Sequence, residues 1–359
     1  MCRIEKKEKS LVITGGLMKR VEEQILRYLL KECGSLWEII NHQDGDIKQT
    51  IEALNLFKSK GFIKSDGDKI CLTGSGVKFA EENHIQAEKE FICKNCDGTG
   101  IALGEVFSDA MNRFRKIFEN RPSETAEFDQ GVVPPEVSFR RAAFVYTRGD
   151  LENKKLLFLG DDDLTSIAMM LTGFPEEIKV IEVDERIVNY INKVAKEYNL
   201  NVEALLYNAV DPIPDNLKKK FDVFLTDPVE TVAGMRLFFS RCIEGLKGKG
   251  SAGYFGVSHY ESSLKKWFYI EKDLLSMNLV ITDVLRDFNK YLLVGERIIT
   301  EGFRVVKESP FPPEAPDYPW YRSTFFRVEL VDEPNPLIKE KVNWKRELYY
   351  DEDTYVALP

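Results

Sequence analysis

Apolar positions change their spacing twice along the chain. Between Met18 and Phe91, Val21, Ile25, Tyr28 and Leu29 recur at helical intervals, and Ile47, Ile51, Leu54 and Phe57 do so again. Gly61 ends that run. Phe62 and Ile63 then face Ile70, Cys71 and Leu72 across the turn Ser65, Asp66, Gly67, Asp68, which predicts a hairpin. A helix is predicted over 106–118, and the Pro-containing polar stretch 121–135 reads as a linker and the rim of a cleft. From Lys155 the pattern alternates. The apolar run Leu156, Leu157, Phe158, Leu159 is ended by Gly160, as a buried parallel strand should be. Further strands are predicted over 179–183, 202–207, 221–226 and 251–257, with helices over 167–171, 187–198, 235–246 and 264–276. Three closing strands are expected over 281–285, 304–306 and 325–330. Alternating strands and helices imply an α/β fold with a doubly wound, Rossmann-like sheet, whose ligands bind at the carboxyl ends of the strands.

The order helix, helix, helix, hairpin resembles the winged helix-turn-helix family over 46–79. Three parts follow: a winged-helix domain over 1–91, a Cys knuckle, helix and linker over 92–154, and a catalytic domain over 155–359 ending in an acidic tail. Winged helices commonly read DNA with a basic helix. Here residues 1–90 carry as many acidic as basic side chains, and the recognition position offers only Lys48, Lys58 and Lys60. With a net charge of −9, this argues against nucleic acid and for a dimerisation or lid role, a homodimer through the winged helix being expected.

At 359 residues and 43% apolar composition, two cores are affordable. No apolar stretch is long enough to span a membrane and 1–9 lacks signal-peptide order, so a cytoplasmic protein without a membrane partner is expected. A charged fraction of 30% fits a heat-adapted protein. The 6 cysteines form no regular framework and are expected to be reduced. Only Cys93 and Cys96 have metal-ligand spacing, which leaves zinc or iron open there against inert or redox-active thiols. A structural zinc wants four ligands, so Cys2, Cys33, Cys71, Cys242 or a second subunit would have to complete the set.

The polar clusters stand at four strand ends: Asp161, Asp162 and Asp163; Glu182 and Asp184; Asn208; and Asp227 with Pro228. An acid about 20 positions past the first turn commonly binds a ribose hydroxyl, a place that Glu182 or Asp184 fits. Dehydrogenases, methyltransferases and aminopropyltransferases share that spacing, so the first turn decides among them. In binders of phosphates or of intact S-adenosylmethionine it is Gly-rich, so that backbone N–H groups approach an anion. Three successive carboxylates would instead repel one, each like-charge contact near 4 Å costing about 1–4 kcal/mol. A cation is wanted. Decarboxylated S-adenosylmethionine keeps its ammonium and sulfonium and lacks the carboxylate. The alternative for Asp161–Asp163 is helix capping, which needs one residue where this turn spends three.

The run Leu159, Gly160, Asp161, Asp162, Asp163, with a winged helix ahead and Thr226, Asp227, Pro228 behind, resembles the archaeal and bacterial branched-chain polyamine synthases, N4-bis(aminopropyl)spermidine synthases. The resemblance covers nearly the whole chain. It implies transfer of aminopropyl groups from the co-substrate decarboxylated S-adenosylmethionine to N4 of spermidine, releasing 5′-methylthioadenosine, with no cofactor required. By likeness to linear spermidine synthases, Asp227 stands at the catalytic Asp, Glu182 at the ribose acid, and Asn208 where an adenine-contacting Asp is usual, a departure. An alkyl amine with a pKa near 10.4 is only about one part in two or three thousand neutral at pH 7, so its proton must be removed. Asp162 or Asp163 is expected to orient N4 and relay that proton to water, the remaining carboxylates holding terminal ammonium groups. Gly160, Asp161, Asp184, Pro228 and Asn208 would line the substrates. Phe128, Asp129 and Gln130 would rim the crevice. Tyr254, His259 and Tyr260, after the fifth strand, offer aromatic faces to cations or adenine. The tail Tyr349, Tyr350, Asp351, Glu352, Asp353, Tyr355 reads either as a flap over a polyamine or as a frayed end. The rival functions are a methyltransferase using intact S-adenosylmethionine and a winged-helix ligand-sensing regulator.

Overall fold

The computed structural model describes residues 12–13, 16–89, 91–93, 95–96, 98–125, 130–300, 302–343 and 345–356. After a small ribbon, β1 (Val12–Ile13) and β2 (Gly16–Leu17), come helices α1 (Arg20–Lys31), α2 (Leu36–Asn41) and α3 (Ile47–Ser59). The antiparallel pair β3 (Ile63–Asp66) and β4 (Lys69–Leu72) follows, then α4 (Gly74–Glu82). Helix starts follow their capping chemistry. Ser35 Oγ accepts the Glu38 N–H at 3.3 Å while Glu38 accepts the Ser35 N–H at 2.8 Å, and Asp46 accepts the Gln49 N–H at 2.8 Å. Cys33 and Cys71 are joined in a disulfide that ties the α1–α2 connection to β4, which corrects the expectation of reduced thiols for this pair.

These helices do not close a core of their own. Trp37 packs on Trp320 with ring centres 4.6 Å apart and planes tilted by 41°, and Tyr260, Ile298, Phe303, Val305 and Tyr355 share the same apolar cluster. Trp37 Nε1 donates to Glu314 O (2.9 Å), Asn55 Nδ2 to Glu308 O (3.1 Å) and Lys58 Nζ to Pro310 O (2.5 Å). The segment between residues 291 and 321 is thus clasped by the N-terminal helices.

α5 (Ser108–Phe118) and α6 (Pro135–Thr147) lead into the main sheet, α6 following the 121–135 linker in a stretch where the sequence reading placed no element. Then follow β5 (Lys155–Leu159), α7 (Thr165–Leu171), β6 (Glu177–Glu182), α8 (Glu185–Tyr198), β7 (Val202–Leu206), β8 (Val223–Thr226), α9 (Val232–Gly245), β9 (Ala252–Val257) and α10 (Leu264–Ser276). The chain closes with β10 (Leu279–Lys290), α11 (Arg297–Thr300), α12 (Arg304–Lys307) and β11 (Arg322–Leu330). The 7-stranded sheet runs β10-β11-β9-β8-β5-β6-β7, parallel from β9 to β7 and antiparallel at β11 and β10. Residues 304–306, expected as a strand, are helical: Val305 points its β-branched side chain into the shared core from a single turn of α12. β10 runs to Lys290, past the predicted end, because a register shift between Leu285 and Asn289, with Asp287 at φ 55°, interrupts its alternation.

From β5 the chain adds β6 and β7 on one side and then crosses to β8 on the other. Leu159 pairs with Thr226, and Thr226 Oγ1 donates to Leu159 O at 2.7 Å. The crevice of a doubly wound sheet opens at this switch point. Among the described residues, no helix is long and apolar enough to cross a membrane.

Replacing Trp320 by Ala removes the ring that joins the N-terminal helices to the 291–321 segment. A loss of about 3–5 kcal/mol is expected, read as a lower denaturant midpoint with an unchanged slope.

Candidate active site

β5 ends at Gly160, whose φ of 80° turns the chain away from the sheet and whose N–H donates to Ile181 O at 2.9 Å. The three carboxylates that follow then part company. Asp161 accepts the Ser166 N–H (3.1 Å) and the Ser166 hydroxyl, and Asp163 accepts the Thr165 N–H at 3.0 Å. Both serve the first turn of α7, so the capping reading holds for two of the three. Asp162 caps nothing. No described residue donates a hydrogen bond to it, and its Oδ2 is buried without a partner.

Behind the turn lies Arg141, on the inner face of α6 and nearly fully buried. Its Nη1 donates to Asp163 Oδ2 at 3.0 Å, its Nη2 to Asp227 Oδ2 at 2.8 Å and its Nε to Asn289 Oδ1 at 2.8 Å. Asp227, just past β8, also accepts the Gly256 N–H (3.1 Å) and the Tyr291 hydroxyl (3.4 Å). Glu182, at the end of β6, accepts the backbone N–H groups of Asp161 (3.0 Å) and Asp184 (2.8 Å). Four of the five carboxylates are therefore held by donors. Burial pushes the Asp162 carboxyl well above the usual range, and Asp163, Glu182, Asp227 and Asp161 add to the effect. Burial, then Asp163, raises Asp161 likewise. Burial also raises Asp163, with the Arg141 guanidinium pulling against it, and raises Glu182 against its backbone donors.

A cavity of about 320 Å³ opens in front of this cluster. Gln130, Gly160, Asp162, Glu182, Asp227 and Pro228 line it, together with Glu124, Glu230 and Glu261, the rings of Tyr291 and Tyr321, and the cationic Arg297. A chamber of about 40 Å³ lies beside it, bounded by Asp161–Asp163, Arg141 and Tyr254.

The other expected residues separate into two groups. Gln130 reaches the cavity, its Nε2 donating to Asp184 Oδ2 at 2.9 Å. Asp184 itself is taken up as the cap of α8 and by Arg186 (2.6 Å), and does not line the cavity. Asn208 is exposed, holds the Val210 N–H at 3.1 Å and lies away from the lining. The Tyr254 hydroxyl donates to Asp150 at 2.6 Å, so only the small chamber meets this residue. Tyr260 belongs to the N-terminal core, donating to Asn41 Oδ1 at 2.8 Å. His259 is buried against Tyr260 and Asp287, and burial pushes its ring down to about 3. Of these three, Tyr254 meets the small chamber, and His259 and Tyr260 do not line the cavity. Phe128 and Asp129 lie outside the described residues.

The tail is neither frayed nor separate. Glu261 accepts the N–H groups of Tyr355 (2.5 Å) and Val356 (2.8 Å), and the buried Lys266 Nζ joins Glu230 O (2.9 Å), Glu261 O (2.7 Å) and Asp351 Oδ1 (3.0 Å). Tyr349, Thr354 and Val356 thereby complete the cavity wall. At the knuckle, where Lys94 and Asp97 lie outside the described residues, neighbouring N–H groups hold the exposed Cys93 thiol below its ordinary range. Among the described residues no group of three or more His, Cys, Asp or Glu is gathered that could hold a metal ion. Cys33 and Cys71 are spent in the disulfide and Cys242 is buried elsewhere, so they cannot complete a zinc or iron set as expected.

Arg141, Tyr291, Glu230, Glu261 and Lys266 carry no sequence motif. Arg141 alone left a trace: a charged residue among Val137, Ala142 and Val145 on the apolar face of a helix.

Residues 109–356 match the family described as the branched-chain polyamine synthase A C-terminal domain. The chain belongs to the branched-chain polyamine synthase family. It is 35% identical over 350 residues to N(4)-bis(aminopropyl)spermidine synthase of Thermococcus kodakarensis, covering 97% of each chain. It is 37% identical over 335 residues to that of Methanocaldococcus jannaschii, covering 92% of this chain and 93% of the relative. The branched-chain polyamine synthase of Thermus thermophilus, solved in complex with N4-aminopropylspermidine and 5′-methylthioadenosine, superposes with a TM-score of 0.82 at 31% identity, over 96% of this chain and 95% of that one.

Asp162 carries a stability signature. Its carboxyl ionises near 3.8 when unfolded and well above that when folded, so below about pH 3.8 both states hold the proton and no difference arises. As pH rises, the unfolded chain ionises first, and the contribution of this group to stability falls until the folded carboxyl ionises too. Asp162→Asn should therefore be more stable than the parent by a margin that is absent in acid and grows as pH rises above about 3.8, until the folded carboxyl ionises too. Denaturant titrations at a series of pH values read this margin.

Proposed function

We propose that the cavity transfers aminopropyl groups from decarboxylated S-adenosylmethionine to the N4 amine of spermidine, giving N4-aminopropylspermidine and N4-bis(aminopropyl)spermidine with release of 5′-methylthioadenosine. The observation that carries this reading is Asp162, the one carboxylate of the cluster that receives no donor from the described residues, at the edge of the cavity. It also separates Asp162 from Asp163, which spends both oxygens on Thr165 and Arg141.

The nucleoside sits best against Glu182 and Gln130, whose polar groups suit ribose hydroxyls, with the sulfonium turned towards Gly160. The acceptor lies between Asp162 and the far carboxylates Glu230 and Glu261, which match its terminal ammonium groups. N4 arrives as a secondary ammonium ion and gives its proton to Asp162, which passes it on to water and is ionised again before the attack. A carboxylate whose proton affinity is raised by burial accepts that proton with less penalty than an ordinary one. The freed lone pair attacks the aminopropyl carbon, the carbon–sulfur bond breaks, and its electrons leave with the neutral thioether. Positive charge thus moves from sulfur to nitrogen beside a fixed anion. A second round on the tertiary amine gives the quaternary product.

The rivals fit less well. Intact S-adenosylmethionine would bring its carboxylate to a wall of carboxylates. The N-terminal unit, which we read as a winged helix, turns α3 inward, where Asn55 and Lys58 bind the 308–310 backbone and Lys48 pairs with Glu352 at 3.8 Å. That helix face is occupied within the chain and is closed to DNA. The unit serves as a buttress of the catalytic part over 155–359.

Incubation with spermidine and either donor, followed by mass analysis of the polyamines, should show gains of one and two aminopropyl units from the decarboxylated donor. Methyl gain, or no gain, refutes the assignment. Asp162→Asn should keep the fold and reduce turnover by about 10²–10⁴, with a smaller effect on the KM of the nucleoside donor.

A further inference from the structure

Arg141 supplies three donors to three separate elements, and each acceptor is pinned again from elsewhere. Asp163 is held by the Thr165 N–H (3.0 Å), Asp227 by the Gly256 N–H (3.1 Å), and Asn289 by its own Nδ2, which donates to Ser323 Oγ at 2.9 Å. The guanidinium carbon lies 5.5 Å from the centre of the Phe325 ring. A single buried cation thus closes a network between α6, the start of α7 and strands β8 to β11. It also decides where negative charge is answered. Asp163 and Asp227 each receive one N–H of the fork, and Asp162, between them in the crevice, receives none.

We propose that Arg141 is a positioning residue: its guanidinium, divided between Asp163 and Asp227, fixes both as counter-ions and leaves Asp162 as the one carboxylate free to take the acceptor proton. The role of that proton rests on the aminopropyl-transfer reading, whereas the division of charge stands without it. Lysine is no substitute, since one ammonium on a flexible stem lacks the planar fork that spans two carboxylates. The groups facing Asp162 are Asp161, Asp163, Glu182 and Asp227; those facing Arg141 are Asp163, Asp227 and the Tyr291 hydroxyl. Removal of the cation therefore leaves two nearby carboxylates unanswered, and Asp162 should hold its proton to higher pH.

Two readouts are taken on the full chain, for the parent, Arg141→Lys, Arg141→Met and the charge-matched pair Arg141→Met with Asp163→Asn. The first is the titration midpoint of the Asp162 carboxyl by carbon NMR without substrates; the second is the acid limb of kcat/KM for spermidine. In Arg141→Met both should move up by at least one pH unit, and kcat at neutral pH should fall at least tenfold. The charge-matched pair should bring the midpoint back by at least half of that displacement, which a purely structural role for Arg141 would not do. Should Arg141→Met fail to fold, Arg141→Lys takes its place, with a displacement of at least half a unit expected. An unmoved midpoint overturns the inference. A parent that forms no aminopropylated product refutes the transfer reading instead, and leaves the substrate-free titration to judge Arg141.

Discussion

Five carboxylates meet at one strand-end crevice, and a single guanidinium answers two of them. Such a cluster is tolerated only where other donors surround it, because a buried ionised group without partners is costly. The fold supplies them from the first turn of α7, whose Thr165 and Ser166 N–H groups face Asp163 and Asp161, and from the chain around Glu182, where two further N–H groups converge on one carboxylate. Each donor is one that a helix start or a strand end leaves unpaired in any case. The arrangement stops one short. Among the described residues Asp162 stands without a donor, in front of a cavity lined by the carboxylates of Glu124, Glu182, Asp227, Glu230 and Glu261 as well, so a cationic ligand is the natural partner for that charge.

The rest of the architecture holds the walls of that cavity in place. Tyr291, Arg297, Phe303 and Tyr321 come from one segment, and the N-terminal helices clasp it through Trp37, Asn55 and Lys58. The C-terminal tail is docked by Glu261 and by Lys266, whose buried ammonium is consumed by acceptors from the β8–α9 loop, the turn after β9 and the tail. Long-range ties of this kind join segments 85 to 277 residues apart. Packing of the N-terminal unit and shape of the substrate site are thereby coupled, and a change at Trp320 reaches both.

That division explains what could be read from the residue order. Strands β5, β6, β8 and β9 are legible because buried parallel strands are apolar runs with sharp ends, and Gly160 is legible because only glycine takes a φ of 80° without strain. Carboxylates beside those ends follow directly. Arg141, Glu261 and Lys266 do not, since each owes its place to partners across the fold and none sits at a motif. Position alone does not convey the surroundings of Asn208, His259 and Tyr260. All three follow strands at the carboxyl edge, yet the first is turned out to solvent and the others are drawn into packing with Asp287 and the N-terminal helices. Val305 shows the same override of local preference, a β-branched pair wound into one helical turn by its place in a core.

In the proposed reaction the unpaired carboxylate also sets how the two rounds differ. Spermidine N4 enters with a proton that Asp162 takes and passes to water, and the tertiary product leaves the first attack with a proton still on nitrogen, so the same transfer is available again. After the second attack the nitrogen is quaternary and has no N–H to give. Its hold on Asp162 falls from a charge-assisted hydrogen bond to Coulomb attraction alone, while four carbon substituents now fill the space in front of the turn. Charge favours each successive cation in this acidic cavity; loss of the hydrogen bond and crowding at nitrogen oppose it. The product that can no longer be deprotonated is therefore also the one that the site holds least specifically, which ends the sequence at two transfers and favours its release.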